Sequence, residues 1–151
     1  MKLKSILAIL SISLLVLVLM IAFSTPTAAQ KATTNEKDAD YWFDKGALCA
    51  TYGNDRAAIS YFQQAISLDP NQSGAYFEQG ISYGQLGAFD KAITLVTKAI
   101  EMEPQNGLYF YGRGRVYLLA GKQDQAMEDF KKAAELDDED AQTYLEHVAQ
   151  K

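Results

Sequence analysis

Few residues of this 151-residue chain are of types and spacings that do chemistry: His147, Cys49, the acidic run Asp137-Asp138-Glu139-Asp140, and the fragments Gly84-Gln85-Leu86-Gly87 and Gly112-Arg113-Gly114. An imidazole acts as a general base or metal ligand beside a second group at a matching spacing, and nothing around His147 singles it out that way. Cys49 occupies a position that is tyrosine one and two repeats later, at Tyr83 and Tyr117. It therefore reads as a packing residue rather than a nucleophile. The acidic run lacks the alternating ligands and following glycine of a calcium loop, so it reads as a helix cap. Neither glycine fragment lies between a strand and a helix, as a phosphate cradle requires. No catalytic set, metal site or cofactor motif emerges, and the functional reading passes from reaction to surface.

The elements that position that surface follow from one interval. Gly46, Gly80 and Gly114 are separated by 34 residues, and six further columns share the spacing: Trp42/Tyr76/Phe110, Cys49/Tyr83/Tyr117, Gly53/Gly87/Gly121, Ala58/Ala92/Ala126, Phe62/Val96/Phe130 and Ala65/Ala99/Ala133. Within each unit the first three columns fall at i, i+4 and i+7, one helical face, and the alanine and bulky columns repeat that spacing in a second helix. Glycine inside a helix costs about 1 kcal/mol of propensity. Its recurrence therefore predicts close approach of two antiparallel helices, with Gly46 and Ala58 as the small residues and Trp42 and Phe62 filling the remaining space. Gly53, Gly87 and Gly121 end the first helices, an Asp follows within three residues, and Pro70 and Pro104 stop the second helices. The third unit has Asp138 where the others have proline. In the final segment Tyr144 resumes the aromatic column while Val148 replaces the glycine, as suits a terminal helix with no partner to approach.

An aromatic, a small residue, an aromatic, a turn glycine, then alanine, a bulky residue, alanine and proline over 34 residues resembles the tetratricopeptide repeat family. The resemblance implies an all-α, right-handed α-solenoid of three helix hairpins, 39–72, 73–106 and 107–140, with 141–151 as a C-terminal capping helix. It also implies a concave groove lined by the first helices: Phe43, Ala47 and Ala50; Phe77, Ile81 and Gly84; Tyr111, Arg115 and Leu118. Phe43, Phe77 and Tyr111 would form an aromatic ladder that either contacts an extended peptide or helix, with Arg115 or Arg113 pairing a ligand carboxylate, or packs between neighbouring helices. Some family members bind acidic chaperone C-termini through a polar clamp. Phe43, Ala47, Glu78, Leu108 and Gly112 stand in its place, so the clamp is absent and Glu78 would repel a carboxylate.

The N-terminus reads as an export segment. Lys2 and Lys4 precede an apolar run, Ile6 to Phe23, followed by small and polar residues to Gln30. Two readings stay open: a signal peptide cleaved after Ala29, or an uncleaved inner-membrane tether through residues 6–23, with residues 30–38 as a polar linker. Without residues 1–29 the net charge of −5 becomes −7, which disfavours nucleic acid and anionic surfaces in general. A single cysteine makes no internal disulfide. These features describe a non-catalytic scaffold, periplasmic or membrane-anchored, that binds a protein or peptide of the cell envelope. The alternative is a structural module that self-associates by stacking its terminal repeats.

Overall fold

A computed structural model describes residues 37–150, and the proposed export segment lies outside them. The described residues form seven helices: α1 (Ala39–Thr51), α2 (Asp55–Leu68), α3 (Ser73–Gln85), α4 (Phe89–Met102), α5 (Gly107–Leu119), α6 (Gln123–Glu135) and α7 (Glu139–Ala149). Helices α1 and α2, α3 and α4, and α5 and α6 pair as hairpins. Each second helix also packs on the next first helix, and α7 packs on α6. Of the residues assigned to a linker, Lys37 and Asp38 precede α1, and Asp38 caps it by accepting the Tyr41 amide at 2.9 Å.

Each first helix ends in the same turn for the same reason. Gly53, Gly87 and Gly121 have φ of 73°, 77° and 74°, a left-handed conformation that side chains resist. It lets the next amide reach back five residues, as Asn54 N–H does to the Cys49 carbonyl at 2.8 Å. The end of α6 does this without glycine: Asp137 takes φ 62°, and the Asp138 amide bonds the Ala133 carbonyl at 3.1 Å. Asp138 also caps α7, accepting the Ala141 amide at 2.8 Å. The acidic run thus closes one helix and opens the next, the work that proline and a turn share in the earlier repeats.

Second helices carry the core. Ala58, Phe62 and Ala65, and Ala92, Val96 and Ala99, are completely buried, as are Ala126 and Ala133, with Phe130 at 1% exposure. The glycine column answers the bulky column of its own hairpin. A Cβ on Gly46 would lie 2.6 Å from Phe62, one on Gly80 2.7 Å from Val96, and one on Gly114 2.7 Å from Phe130. The close approach expected from sequence is present too: the same Cβ atoms on Gly80 and Gly114 would lie 3.1 and 3.2 Å from the Ala92 and Ala126 carbonyl oxygens. The glycine is a slot for the largest residue of the opposite helix, and the first-helix aromatics Trp42, Tyr76 and Phe110 remain half-buried at its side.

Gly114→Ala is therefore expected to destabilise the domain by about 1–3 kcal/mol through overpacking, although alanine favours helix. Urea unfolding measures it. Adding Phe130→Leu should recover part of the loss, whereas equal stability of Gly114→Ala and the parent protein would refute the slot.

Candidate functional site: the first-helix face

At about 100° per residue, three directions on the middle first helix, α3, are occupied. One faces the paired second helix, one the preceding hairpin and one the following hairpin. The fourth direction is shared by Asp40, Asp44, Ala47 and Thr51 on α1, by Gly74, Glu78, Ile81 and Gln85 on α3, and by Leu108, Gly112, Arg115 and Leu119 on α5. Ile81, Gly84, Gln85, Gly112, Arg115, Val116 and Leu119 line a crevice between α3 and α5. Leu108 and Leu119 are half exposed, at 49% and 56%. The crevice is thus an apolar surface carrying the Arg115 cation at its edge.

The sequence-derived groove residues divide. Ile81 and Arg115 meet in this crevice, and Ala47, Ala50 and Leu118 are half-buried on α1 and α5. Phe77 does not belong to an open surface. It is 6% exposed, its ring stacks on Tyr109 at 4.8 Å, and Gly112 leaves room for it so closely that a Cβ there would collide with the ring. Nor is there a continuous ladder. Among the described residues the ring partners of Phe43, Phe77 and Tyr111 are Phe62 at 5.7 Å, Tyr109 at 4.8 Å and Phe130 at 5.6 Å, not one another. Phe77 points into the junction with the next hairpin and Phe43 lies against Gly74 of the next hairpin, while Tyr111 packs on Phe130 of its own; packing takes Phe77 almost entirely and leaves Phe43 and Tyr111 half-buried.

Arg113 is likewise unavailable to a ligand. Its Nε and Nη2 donate to both carboxylate oxygens of Asp129 at 2.7 and 2.8 Å, and Nη1 donates to Thr97 Oγ1 at 3.0 Å. The Asp129 hydrogen bonds hold the guanidinium pKa above its ordinary value against the effect of burial. Arg115 is exposed, with its guanidinium 5.9 Å from the Tyr111 ring centroid.

Sequence reasoning passed over Gln85 and Leu119, which stand one turn along from Ile81 and Arg115; carrying the 3.6-residue phase one turn further finds them. Glu78, noted only as an obstacle to carboxylate ligands, is half-buried on the same face, and burial raises its pKa. Beneath the face, Ser73 Oγ donates to Glu103 and lies 3.0 Å from Tyr109 OH. With the serine proton committed to Glu103, the phenol is the donor to Ser73. The Ser73 and Asn106 hydrogen bonds lower the Glu103 pKa, while burial is the main cause raising that of Tyr109. This chain joins α3 to α5 at their N-terminal ends, about two turns before Ile81.

Cys49 is a free, half-buried thiol, and His147 is exposed with Nδ1 2.8 Å from the Thr143 carbonyl oxygen. Among the described residues no three metal-ligating side chains converge. A second, more open cleft of about 400 Å³ lies on another side of α3, between Gln63, Gln79, Tyr83, Asp90, Lys91, Thr94 and Leu95.

Antiparallel helix hairpins stacked at a 34-residue period, with one first-helix face left open, define an all-α repeat solenoid. Residues 39–72 and 77–141 match family models described as Tetratricopeptide repeat, together about two thirds of the chain, which belongs to that family. Among solved structures MamA shares 30% identity, covering 70% of this chain and 62% of its own, at a TM-score of 0.62. YrrB, described as a TPR protein with an unusual peptide-binding site, shares 21% identity over 79% of this chain and 62% of its own, at a TM-score of 0.67. The first TPR of Spaghetti (RPAP3), solved bound to the HSP90 peptide SRMEEVD, shares 19% identity over 77% of this chain and 94% of its own, at 0.68. This chain therefore spans 62% of the length of the MamA and YrrB chains. A comparison with curated proteins returns no match.

Two expectations follow. Phe77→Ala should cost about 3–5 kcal/mol, the loss of a buried aromatic, whereas Leu119→Ala should stay within about 0.5 kcal/mol, and thermal melting separates them. A comparable loss for both would make the crevice part of the core. For Glu78 the raised pKa means that folding prefers the protonated acid: the penalty is fully present at neutral pH and disappears as pH falls below the ordinary carboxylate range. Glu78→Gln should therefore stabilise by less than about 1 kcal/mol at neutral pH, screening of a half-exposed charge being considerable. In acid the two proteins should unfold at the same urea concentration, and a gain that persists there would refute the electrostatic cause.

Proposed function

We propose that this protein is a non-catalytic interaction scaffold that holds a peptide or helical segment of an envelope partner along its first-helix face. The observation that carries the reading is the crevice around Ile81, Arg115 and Leu119, an apolar strip on the one direction of the first helices that the fold does not consume. Repeats of this family generally act as interaction modules rather than catalysts, and peptide binding is printed for YrrB and for the Spaghetti repeat. The crevice itself holds only about 20 Å³, so an extended segment or helix face would lie across its exposed rim, where Arg115 can pair with a carboxylate beside apolar anchors. The apolar run preceded by lysines supports placement of the domain outside the cytoplasm, either released after Ala29 or held by residues 6–23.

A photoreactive residue at Leu119 should crosslink a partner in the envelope fraction, and the same residue at Lys131, on the second-helix side, should not. A synthetic peptide of the crosslinked segment should then bind the purified protein, with affinity falling at least about tenfold in Leu119→Asp at unchanged melting, as for loss of an apolar anchor. Equal peptide binding by Leu119→Asp would overturn the crevice as the site. N-terminal sequencing of the exported protein reads whether it begins at Gln30.

A further inference from the structure

The junction of α2, α3 and α4 leaves open what the next junction fills with its own arginine. There Arg113 is held by Asp129 and Thr97, with its guanidinium carbon 5.7 and 5.9 Å from the Phe110 and Tyr117 ring centroids. One repeat earlier the same positions carry Gln79, Leu95, Gln63, Tyr76 and Tyr83. Glutamine is shorter than arginine and leucine has no charge to hold one, so the cleft of about 400 Å³ remains, with Gln63, Gln79, Tyr83 and Leu95 in its walls.

Gln79 is 2% exposed, yet its side chain is only half satisfied. Its Nε2 donates to the Ile59 carbonyl at 3.1 Å and to Gln63 Oε1 at 3.3 Å. A carbonyl only accepts, so the amide nitrogen is fixed on that side. Among the described residues no group donates to Gln79 Oε1, an acceptor left wanting an N–H. Asp90, at the start of α4, lines the same cleft and makes no ion pair among the described residues. The Tyr83 ring already carries a cation: the Lys91 ammonium lies 5.4 Å from its centroid.

We infer that this cleft is a second recognition site, which takes the guanidinium of an arginine side chain presented by a partner protein. It is separate from the Ile81–Arg115 crevice and does not depend on what binds there. Each wall repeats what its counterpart does for Arg113. Tyr83, in the register of Tyr117, offers a ring face to a planar cation. Gln79 Oε1 accepts an N–H, and Gln63 Oε1, in the register of the Thr97 hydroxyl, keeps a second lone pair for another. Asp90 supplies the negative charge missing at Leu95, while Leu95 itself gives the apolar stem of the incoming side chain a surface to lie on. An anion would meet acceptors and a carboxylate, and an ammonium would lack the flat stack. Lys91 is the resident competitor, exposed and covering the ring until a better-matched cation displaces it.

The test titrates N-acetyl-L-arginine amide into the purified full-length protein carrying isotope-labelled glutamine, followed by NMR. Binding predicts a saturable shift of the Gln79 side-chain amide, with a dissociation constant on the order of 1 mM for a single anchoring group. The lysine and citrulline counterparts of the probe lack the planar fork and the charge respectively, and should bind at least about fivefold more weakly. Lys91→Ala should tighten binding of the arginine probe and Asp90→Asn should weaken it. Asp124→Asn, the same change one repeat later, should leave it unaltered. These positions are exposed, so circular dichroism should not change. Gln79→Arg/Leu95→Asp transplants the pair of the next junction and should abolish binding by filling the cleft. Absence of a Gln79 shift, or equal affinity for the arginine, lysine and citrulline probes, would overturn the site. Equal weakening by Asp90→Asn and Asp124→Asn would reduce it to general attraction by an acidic surface. Tighter binding of free L-arginine than of the blocked residue would assign the cleft to a small molecule and overturn the docking role.

Discussion

The interlock of a first-helix glycine with the bulky residue of its own second helix is the contact on which the rest of the molecule depends. It sets how near the two helices lie, and therefore how far each hairpin is rotated against the next. Phe62 and Phe130 sit almost where a Cβ on the facing helix would be, and Val96 does so with a smaller side chain at the middle hairpin. Because this contact lies within a hairpin, each unit is specified locally, while the core closes only when neighbours stack. The alanine columns are the corollary: with large residues spent in the slots, the remaining second-helix positions must be small enough for the adjacent first helix to close over them.

That geometry decides which surface is left to function. The middle first helix has three packed directions, and only the residues between two of them escape. Phe77 shows how narrow the remainder is. It lies one helical step from Ile81, yet the absence of a side chain at Gly112 draws its ring into the α3–α5 junction, where Tyr109 covers it. Ile81 stays at the rim with Arg115. The crevice is therefore a by-product of close packing: the glycine that lets Phe77 sink is also part of the crevice wall. The Tyr109–Ser73–Glu103 chain ties the N-terminal ends of the same two helices.

The repeat period, the hairpins, their turns and the terminal helix were legible in the sequence because each is enforced by a residue type with one physical reason to recur. Gly53 recurs for a left-handed turn and Pro70 for a helix stop. Ala58 recurs for the space it leaves. The groove was legible only in phase. Sequence spacing says which residues share a helical direction, and it correctly put Ile81 and Arg115 together. It does not say how far a neighbouring helix covers that direction, so Phe77 and Ile81 looked alike. The missing signal for Phe77 was Gly112, a glycine outside the 34-residue columns whose cause lies across a junction. Arg113 was misread for a related reason. Its partners Asp129 and Thr97 are each 16 residues away on different second helices, and no local pattern ties the three.

A polar column finally explains why three similar hairpins present dissimilar surfaces. Lys45, Gln79 and Arg113 occupy one register on the side of the first helix facing the preceding unit. At Arg113 a carboxylate faces the column, and a bidentate ion pair with a hydroxyl closes the junction. At Gln79 the residue equivalent to Asp129 is Leu95, so the amide turns to Ile59 and Gln63 instead, and the cleft of about 400 Å³ opens there. At Lys45 the described residues supply no preceding hairpin, and the cation lies over Tyr61, 4.9 Å from its ring centroid. Steric columns must repeat, since a change in one would misplace every later hairpin. The polar column is free to differ because each junction can be satisfied in its own way, and that freedom gives each end and each seam of a regular stack a chemistry of its own.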